Sequence, residues 1–264
     1  MIIQVLTVLF VFAIGACCGS FLNVCICRIP RGESIVAVSS HCISCNEKLK
    51  PLNLVPVLSY LFQRGKCSNC GEKISPRYMC VEIITAILYV CLFYKYGINI
   101  EFFAMALLIS ILIVMFFIDL EFGIIPNSLV AVAAAGGAIQ YISSFFTHID
   151  IYGDSNWWNP VLGAFLGSTF FILVAKAGAY IYKTENTIGG GDIKVLFPIG
   201  LFLGWKMMIM ALFISIVTAA MICVVLIISK RLNRKDTIPF GPFIALGTVI
   251  TVLFGWQIMG MYFH

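Results

Sequence analysis

Two aspartates stand out because their surroundings make them expensive. Asp119 closes an apolar run in Phe116-Phe117-Ile118-Asp119-Leu120-Glu121, and Asp192 opens another in Gly189-Gly190-Gly191-Asp192-Ile193-Lys194. Charged residues within membrane segments are costly and default to functional roles. Two carboxylates at one site can divide acid and base work. At a separation of about 4 Å and an effective dielectric near 20, their repulsion is about 4 kcal/mol. That separates their proton affinities by about three pKa units. The ionised partner can then activate a water while the protonated one polarises a peptide carbonyl, as in aspartic proteases. Two plainer readings stand beside this: Asp192 as a helix N-cap, and Asp119 as a solvated helix end. The second is the weaker, because an anion at a helix C-terminus opposes the macrodipole. Glu121 reads as a solvated neighbour.

A second constellation is Cys42-Ile43-Ser44-Cys45 with Cys67-Ser68-Asn69-Cys70. Two CxxC pairs at this spacing match a four-thiolate zinc site, structural because it leaves no coordination position open. Gly65 and Gly71 flank the second pair where tight turns are needed. The competing reading is two disulfides or four idle thiols; a reducing compartment disfavours disulfides. Most of the other cysteines, at 17, 18, 25, 27, 80, 91 and 223, read as small apolar fillers in or near spans. Glycines 189, 190 and 191 permit close backbone approach and unusual dihedrals. With Lys194 they are candidates for holding an extended substrate. They do not read as a phosphate loop, since Lys194 is not followed by Ser or Thr.

The elements that must carry these residues are membrane helices. Of 264 residues, 61% are hydrophobic and only 11% charged, against about 25% charged in soluble domains. Mean hydropathy is +1.02. A bilayer core of roughly 30 Å takes about 20 helical residues to cross. Eight apolar segments can be drawn, at 2–26, 80–96, 102–118, 127–146, 160–182, 192–204, 206–229 and 240–262. The expected fold is therefore an all-α polytopic membrane protein of about eight transmembrane helices with a small zinc-stapled insertion. The first run has no basic n-region and reads as a retained span.

With the N-terminus outside, eight spans place residues 27–79, 119–126, 183–191 and 230–239 inside. Those loops and their margins hold 14 of the 17 Lys and Arg. Only Lys95 and Lys206 lie outside, and Lys176 sits within a span. The positive-inside rule supports this threading, with both termini outside and both aspartates at the inner membrane edge. The net charge of +5 is explained by these loops and anionic lipid, with no nucleic acid partner. The expected organisation is a first helix (1–26), a cytoplasmic four-cysteine loop (27–79) and a membrane-embedded catalytic core (80–264).

The ordered motifs resemble one family, the type IV prepilin peptidases, also called prepilin leader peptidases and methyltransferases. They are Gly19-Ser20-Phe21-Leu22-Asn23-Val24 with Arg28-Ile29-Pro30, then the two CxxC pairs around Asn53-Leu54-Val55-Pro56-Val57-Leu58-Ser59-Tyr60. Ile74-Ser75-Pro76-Arg77-Tyr78, Val81-Glu82, Ile118-Asp119, Ile125-Pro126-Asn127, the 189–192 run and Ile238-Pro239-Phe240-Gly241-Pro242-Phe243 complete the set. The resemblance implies a bacterial inner-membrane aspartyl endopeptidase whose two essential aspartates map onto Asp119 and Asp192. It implies cleavage of prepilin or type II secretion pseudopilin leaders after a glycine on the cytoplasmic side. It also implies N-methylation of the new terminus with S-adenosylmethionine. Asn23, Arg77, Tyr78 and Glu82 are the candidates for that transfer, with a Glu82–Arg77 ion pair as the structural alternative. The chain departs from the family at Glu121, where a second Asp is common, and at Asn127, where Pro-Asp is common.

Three other classes remain open on residues alone. A transporter would line an ion path with both aspartates. An assembly factor would tolerate Asn at both. A general intramembrane protease would accept substrates without a pilin-type leader. Nothing in the sequence speaks to oligomeric state.

Overall fold

The computed structural model describes residues 2–36, 40–42, 44–182, 189–230 and 238–262. The parts of the 27–79, 183–191 and 230–239 loops at 37–39, 43, 183–188 and 231–237 lie outside them. Among the described residues there are eight α-helices and no strands, only two isolated bridges, His41–Lys48 and Lys66–Lys73. The helices are α1 (Ile2–Arg28), α2 (Leu58–Phe62), α3 (Arg77–Tyr96), α4 (Ile100–Phe122), α5 (Asn127–Ser143), α6 (Trp158–Tyr182), α7 (Gly190–Ile228) and α8 (Gly241–Tyr262).

Six of these are long and apolar enough, as single elements, to cross a membrane, against eight apolar segments drawn from the sequence. Two local facts account for the difference. The fifth helix, α5, stops at Ser143 after 17 residues, about 26 Å of helix. The predicted sixth and seventh spans run on as one element, α7, interrupted at Gly204 with φ 72° and ψ 171°. The interruption reverses the chain. Gly163 of α6 lies against both Gly200 and Gly204, and Gly167 lies against both Leu196 and Met208. A straight helix would carry Leu196 and Met208 about 18 Å apart. The limb 190–203 therefore runs antiparallel to α6 and the limb 205–228 returns beside it. The sequence boundary between 204 and 206 marks a real turn.

The chain divides into two compact units, Met1–Gly97 and Ile98–His264. The first unit includes α3, which packs along α1. In the first unit, Gly15 and Gly19 bring α1 onto the backbone of Ala86 and Glu82. Small residues allow this closeness between membrane helices, where no hydrophobic force drives association. At the loop end of the pair, Asn23 Nδ2 donates to the Tyr78 carbonyl at 2.9 Å.

In the second unit α4 is the central helix. Leu108, Ile109, Leu112, Met115 and Ile118 are fully buried, whereas α6 turns Phe165, Leu173 and Tyr180 outward, as a lipid-facing helix does. The end remote from Asp119 is closed by polar clamps. Glu101, in the first turn of α4, accepts the backbone N–H groups of Asp150 and Ile151, both at 2.9 Å. Asn159 bridges the turn in α7: its Nδ2 donates to the Tyr152 carbonyl at 2.9 Å, and its Oδ1 accepts the Trp205 N–H at 3.0 Å. Asp154 accepts from Asn159 and meets Lys206 at 3.4 Å. Burial alone would raise the Asp154 carboxyl, but these bonds, with the Asn156 N–H, hold it below the ordinary value.

Gly204 is required twice over in this arrangement. Its backbone lies in a region nearly closed to other residues, and an added Cβ would collide with Asn159 Oδ1. We expect Gly204→Ala to destabilise the second unit by about 3 kcal/mol or more, the strain alone contributing ~1–3. Thermal unfolding in detergent measures it.

Candidate active site and metal cluster

The Asp119 end of the second unit gathers the C-terminus of α4 and the N-termini of α5, α7 and α8. Lys194 Nζ donates to Asn127 Oδ1 at 3.3 Å, tying α7 to α5, and Gly191 abuts Ile125. The threading placed both aspartates at one depth, and the structure brings them to one end of one bundle. Asp119 is 5% exposed and Asp192 8% exposed, and the two carboxyl groups interact electrostatically.

Neither plainer reading of the aspartates holds. Asp119 is buried, so it is not a solvated helix end. The N-cap of α7 is Gly189, without a side-chain cap. Asp192 stands in the first helical turn, where an anion is favoured by the macrodipole. Glu121 is exposed.

An unfavourable anion at the C-terminus of α4 needs a compensating donor, and α8 supplies it. The Gly241 N–H donates to Asp119 Oδ2 at 2.9 Å. A Cβ at position 241 would stand 2.5 Å from that oxygen, so only glycine allows the approach. In the sequence Gly241 is one member of a motif and has no evident task. The available signal was a glycine before Pro242 at a helix start, close to another helix only in three dimensions. Gly241→Ala is expected to lower kcat for the site's reaction roughly 10²-fold by displacing Asp119, with little change in helical circular dichroism.

The glycine run behaves differently from expectation in one respect. Gly189 has φ −60° and ψ 127°, open to any residue, and residues 190 and 191 are helical. Their use is space. A Cβ on Gly189 would lie 3.1 Å from Asp192 Oδ2, and nothing lies within 4 Å of one on Gly190. The carboxyl of Asp192 thus lies against the exposed backbone of Gly189, while Gly191 is taken up by its contact with Ile125.

In the first unit the four predicted cysteines meet. The sulfurs of Cys42, Cys45, Cys67 and Cys70 all lie within 4.8 Å of one another, and Cys42 and Cys70 are 3.9 Å apart. No disulfide joins them. Tetrahedral thiolates about 2.3 Å from a zinc ion fit this spacing. Each CxxC is a matching knuckle. Cys42 N–H donates to the Glu47 carbonyl, and Asn46 N–H returns to that of Cys42; Cys67 N–H donates to Glu72, and Gly71 N–H returns to Cys67. Asn46 and Gly71 occupy the same left-handed turn position, φ 59° and 74°. Backbone N–H groups of Cys70 and Asn69 aimed at Cys67 pull its thiol down to about 7. Cys70, although the Glu72 N–H favours its thiolate, is pushed up to about 12 by desolvation and the neighbouring thiols, as expected of four titrating sulfurs crowded together.

Between this loop and the α1–α3 pair lies a cavity of about 560 Å³. All four transfer candidates, Asn23, Arg77, Tyr78 and Glu82, line it. Glu82 is buried, and its Oε2 accepts the Val57 N–H at 2.7 Å. Asn23 is 2% exposed with Oδ1 unpartnered. Cys27, read as filler, is instead polar in its contacts: Arg77 donates to its sulfur at 3.1 Å, and Tyr78 Oη lies 3.3 Å away.

Comparison with known proteins agrees with this geometry. Residues 13–96 match the family model for the bacterial peptidase A24 N-terminal domain, and residues 106–224 match the type IV leader peptidase family. A protein of Bacillus subtilis named prepilin leader peptidase/N-methyltransferase is 36% identical over 97% of each chain. Proteins of the same name from Aeromonas hydrophila and Legionella pneumophila are each 30% identical, over 96% and 92% of this chain and 92% and 90% of theirs. No solved structure matches the chain. The matches run nearly end to end and take in both aspartates and all four clustered cysteines, so the chain belongs to the type IV leader peptidase family.

Proposed function

We propose that this protein removes the leader of type IV prepilins or pseudopilins after a glycine, at the cytoplasmic face of a bacterial inner membrane, and then methylates the new N-terminus. The observation that supports the peptidase most is the buried, interacting pair of Asp119 and Asp192 at one end of the second unit. The ionised carboxylate takes a proton from water as the oxygen attacks the peptide carbonyl. The protonated carboxyl donates to the carbonyl oxygen. The C–N bond then breaks, and the leaving nitrogen takes a proton from the pair. Gly241 holds Asp119 in place throughout. The exposed backbone at Gly189 and Gly190 offers an extended substrate a flank beside Asp192, and Lys194 stands one turn along α7. The pilin's apolar helix would lie in the bilayer, which sets the scissile bond at the depth of the pair and supplies proximity.

For the methyl transfer, the first-unit cavity has the size of a small-molecule site, and its charges suit a zwitterionic cofactor. Arg28, Arg31 and Arg77 can hold a carboxylate. Glu33 and Glu82 can hold an ammonium or hydroxyls. The unpartnered Asn23 Oδ1 accepts a donor, and the Tyr78 face suits a sulfonium. S-adenosylmethionine, when bound, supplies an electrophilic methyl. The buried Glu82 takes the proton that the amine must lose. The cysteine cluster holds zinc as a structural ion that fixes the cavity's outer wall.

Co-expression with a pilin precursor, read by intact mass, tests both activities. The wild type is expected to give a pilin lacking its leader and carrying one added methyl. Glu82→Gln is expected to leave leader loss intact and to slow methylation roughly 10²-fold or more. A leader retained in the presence of wild type would sink the proposal.

A further inference from the structure

The loop between α1 and α3 presents an uncharged, apolar face that the reactions above do not use. From Pro51 to Phe62 there is no charged residue, and Leu52 is 81% and Phe62 83% exposed, with Leu58 and Leu61 more than half exposed. Exposed Lys48 and Lys50 precede the stretch, and exposed Arg64 and Lys66 follow it.

The stretch also sits deep. Val57 N–H donates to Glu82, which stands in the second turn of α3. At 1.5 Å per residue, Glu82 lies about 7.5 Å along α3 from Arg77. Helix α3 has 20 residues, about 30 Å and so no longer than the bilayer core itself. The segment thus descends beside the helix pair to the depth of an interfacial helix, about 5–10 Å into the headgroup boundary. Val57 holds this position with φ 61° and ψ −53°, a strained conformation for a β-branched residue. Such strain persists where surrounding contacts fix it, and the bond to Glu82 is one of them.

We propose that residues 51–62 form an interfacial wedge in an anionic lipid leaflet. Leu52, Leu58, Leu61 and Phe62 lie among acyl chains, and the four flanking cations bind headgroup phosphates. The four-cysteine cluster is thereby anchored to the membrane surface as well as to its two spans. The inference needs only that α1 and α3 span, and it stands apart from the catalytic reading.

Full-length protein in nanodiscs of phosphatidylcholine and phosphatidylglycerol tests it. Photoreactive p-benzoylphenylalanine replaces Phe62 or Leu52, both exposed enough to tolerate the change. The same group at outward-facing Phe165 of α6 is the positive control, and at exposed Glu72 the negative one. Irradiation is expected to give lipid adducts at 62 and 52 comparable with 165, and about tenfold or more above 72. Background labelling at 62 and 52 while 165 labels would overturn the proposal. So would adducts to added prepilin, or to a second copy of the chain, in place of lipid.

Discussion

Asp119→Asn and Asp192→Asn are each expected to leave a co-expressed pilin precursor with its leader attached. Both changes are isosteric. The amide that replaces the Asp119 carboxylate keeps an oxygen for the Gly241 N–H, so α8 remains docked on α4. The amide that replaces the Asp192 carboxylate keeps its place in the first turn of α7, forfeiting only a favourable charge–dipole term of about 0.3–1 kcal/mol. What each variant loses is the ability to exchange a proton with water or with the leaving nitrogen. Removing an essential member of a cooperating catalytic set costs about 10⁴-fold or more, which is about 5.5 kcal/mol of barrier. Intact mass should therefore show unprocessed pilin, while circular dichroism and thermal midpoints stay near wild type. Cleaved pilin from either variant would remove that aspartate from the mechanism. Transport or assembly functions predict no such block.

The second large effect concerns the cysteine cluster. Metal analysis of purified protein is expected to find one zinc per chain. Cys67→Ser with Cys70→Ser, or strong chelation, is expected to unfold the loop, because structural zinc sites of this kind hold domains too small to sustain their own core. Of the described residues between the two spans, Cys67 is the one buried side chain, so little else holds the knuckles together. Loop proteolysis should rise by about 10²-fold or more, since cutting follows the open population. Methylation should fall with it, because Cys42 and Cys67 line the cavity. A loop that resists protease equally with and without metal would show that the thiols are idle.

The site was legible in the sequence to the extent that its chemistry is costly. A carboxylate at the edge of an apolar run has to be justified, and the two most conspicuous cases are both buried at the same end of the second unit. CxxC pairs declare themselves through spacing, and their sulfurs converge as expected. The apolar segments gave nearly every helix within a few residues. Six long single elements stand against eight apolar segments for local reasons: α5 ends early at Ser143, and the two limbs that Gly204 folds back on each other, drawn as separate segments, form one continuous element.

What stayed hidden depends on neighbours remote in sequence. Gly241 serves Asp119 from 122 positions away through a backbone N–H, a group every residue but proline has. Glu101 clamps residues 150 and 151 in the same manner, and its place at a helix start looked ordinary. Cys27 resembled a filler until Arg77 and Tyr78 were seen around its sulfur. Asn127, a departure from the family pattern, acquires a task as the acceptor for Lys194.

The most direct test of a shared catalytic proton is the pH dependence of kcat/KM for leader cleavage by the wild-type enzyme. One carboxyl must be ionised and the other protonated at once, so the rate should rise and then fall, with both limbs belonging to the pair. A rate that climbs with pH to a plateau and stays there would mean that a single base suffices, and the paired mechanism would be wrong.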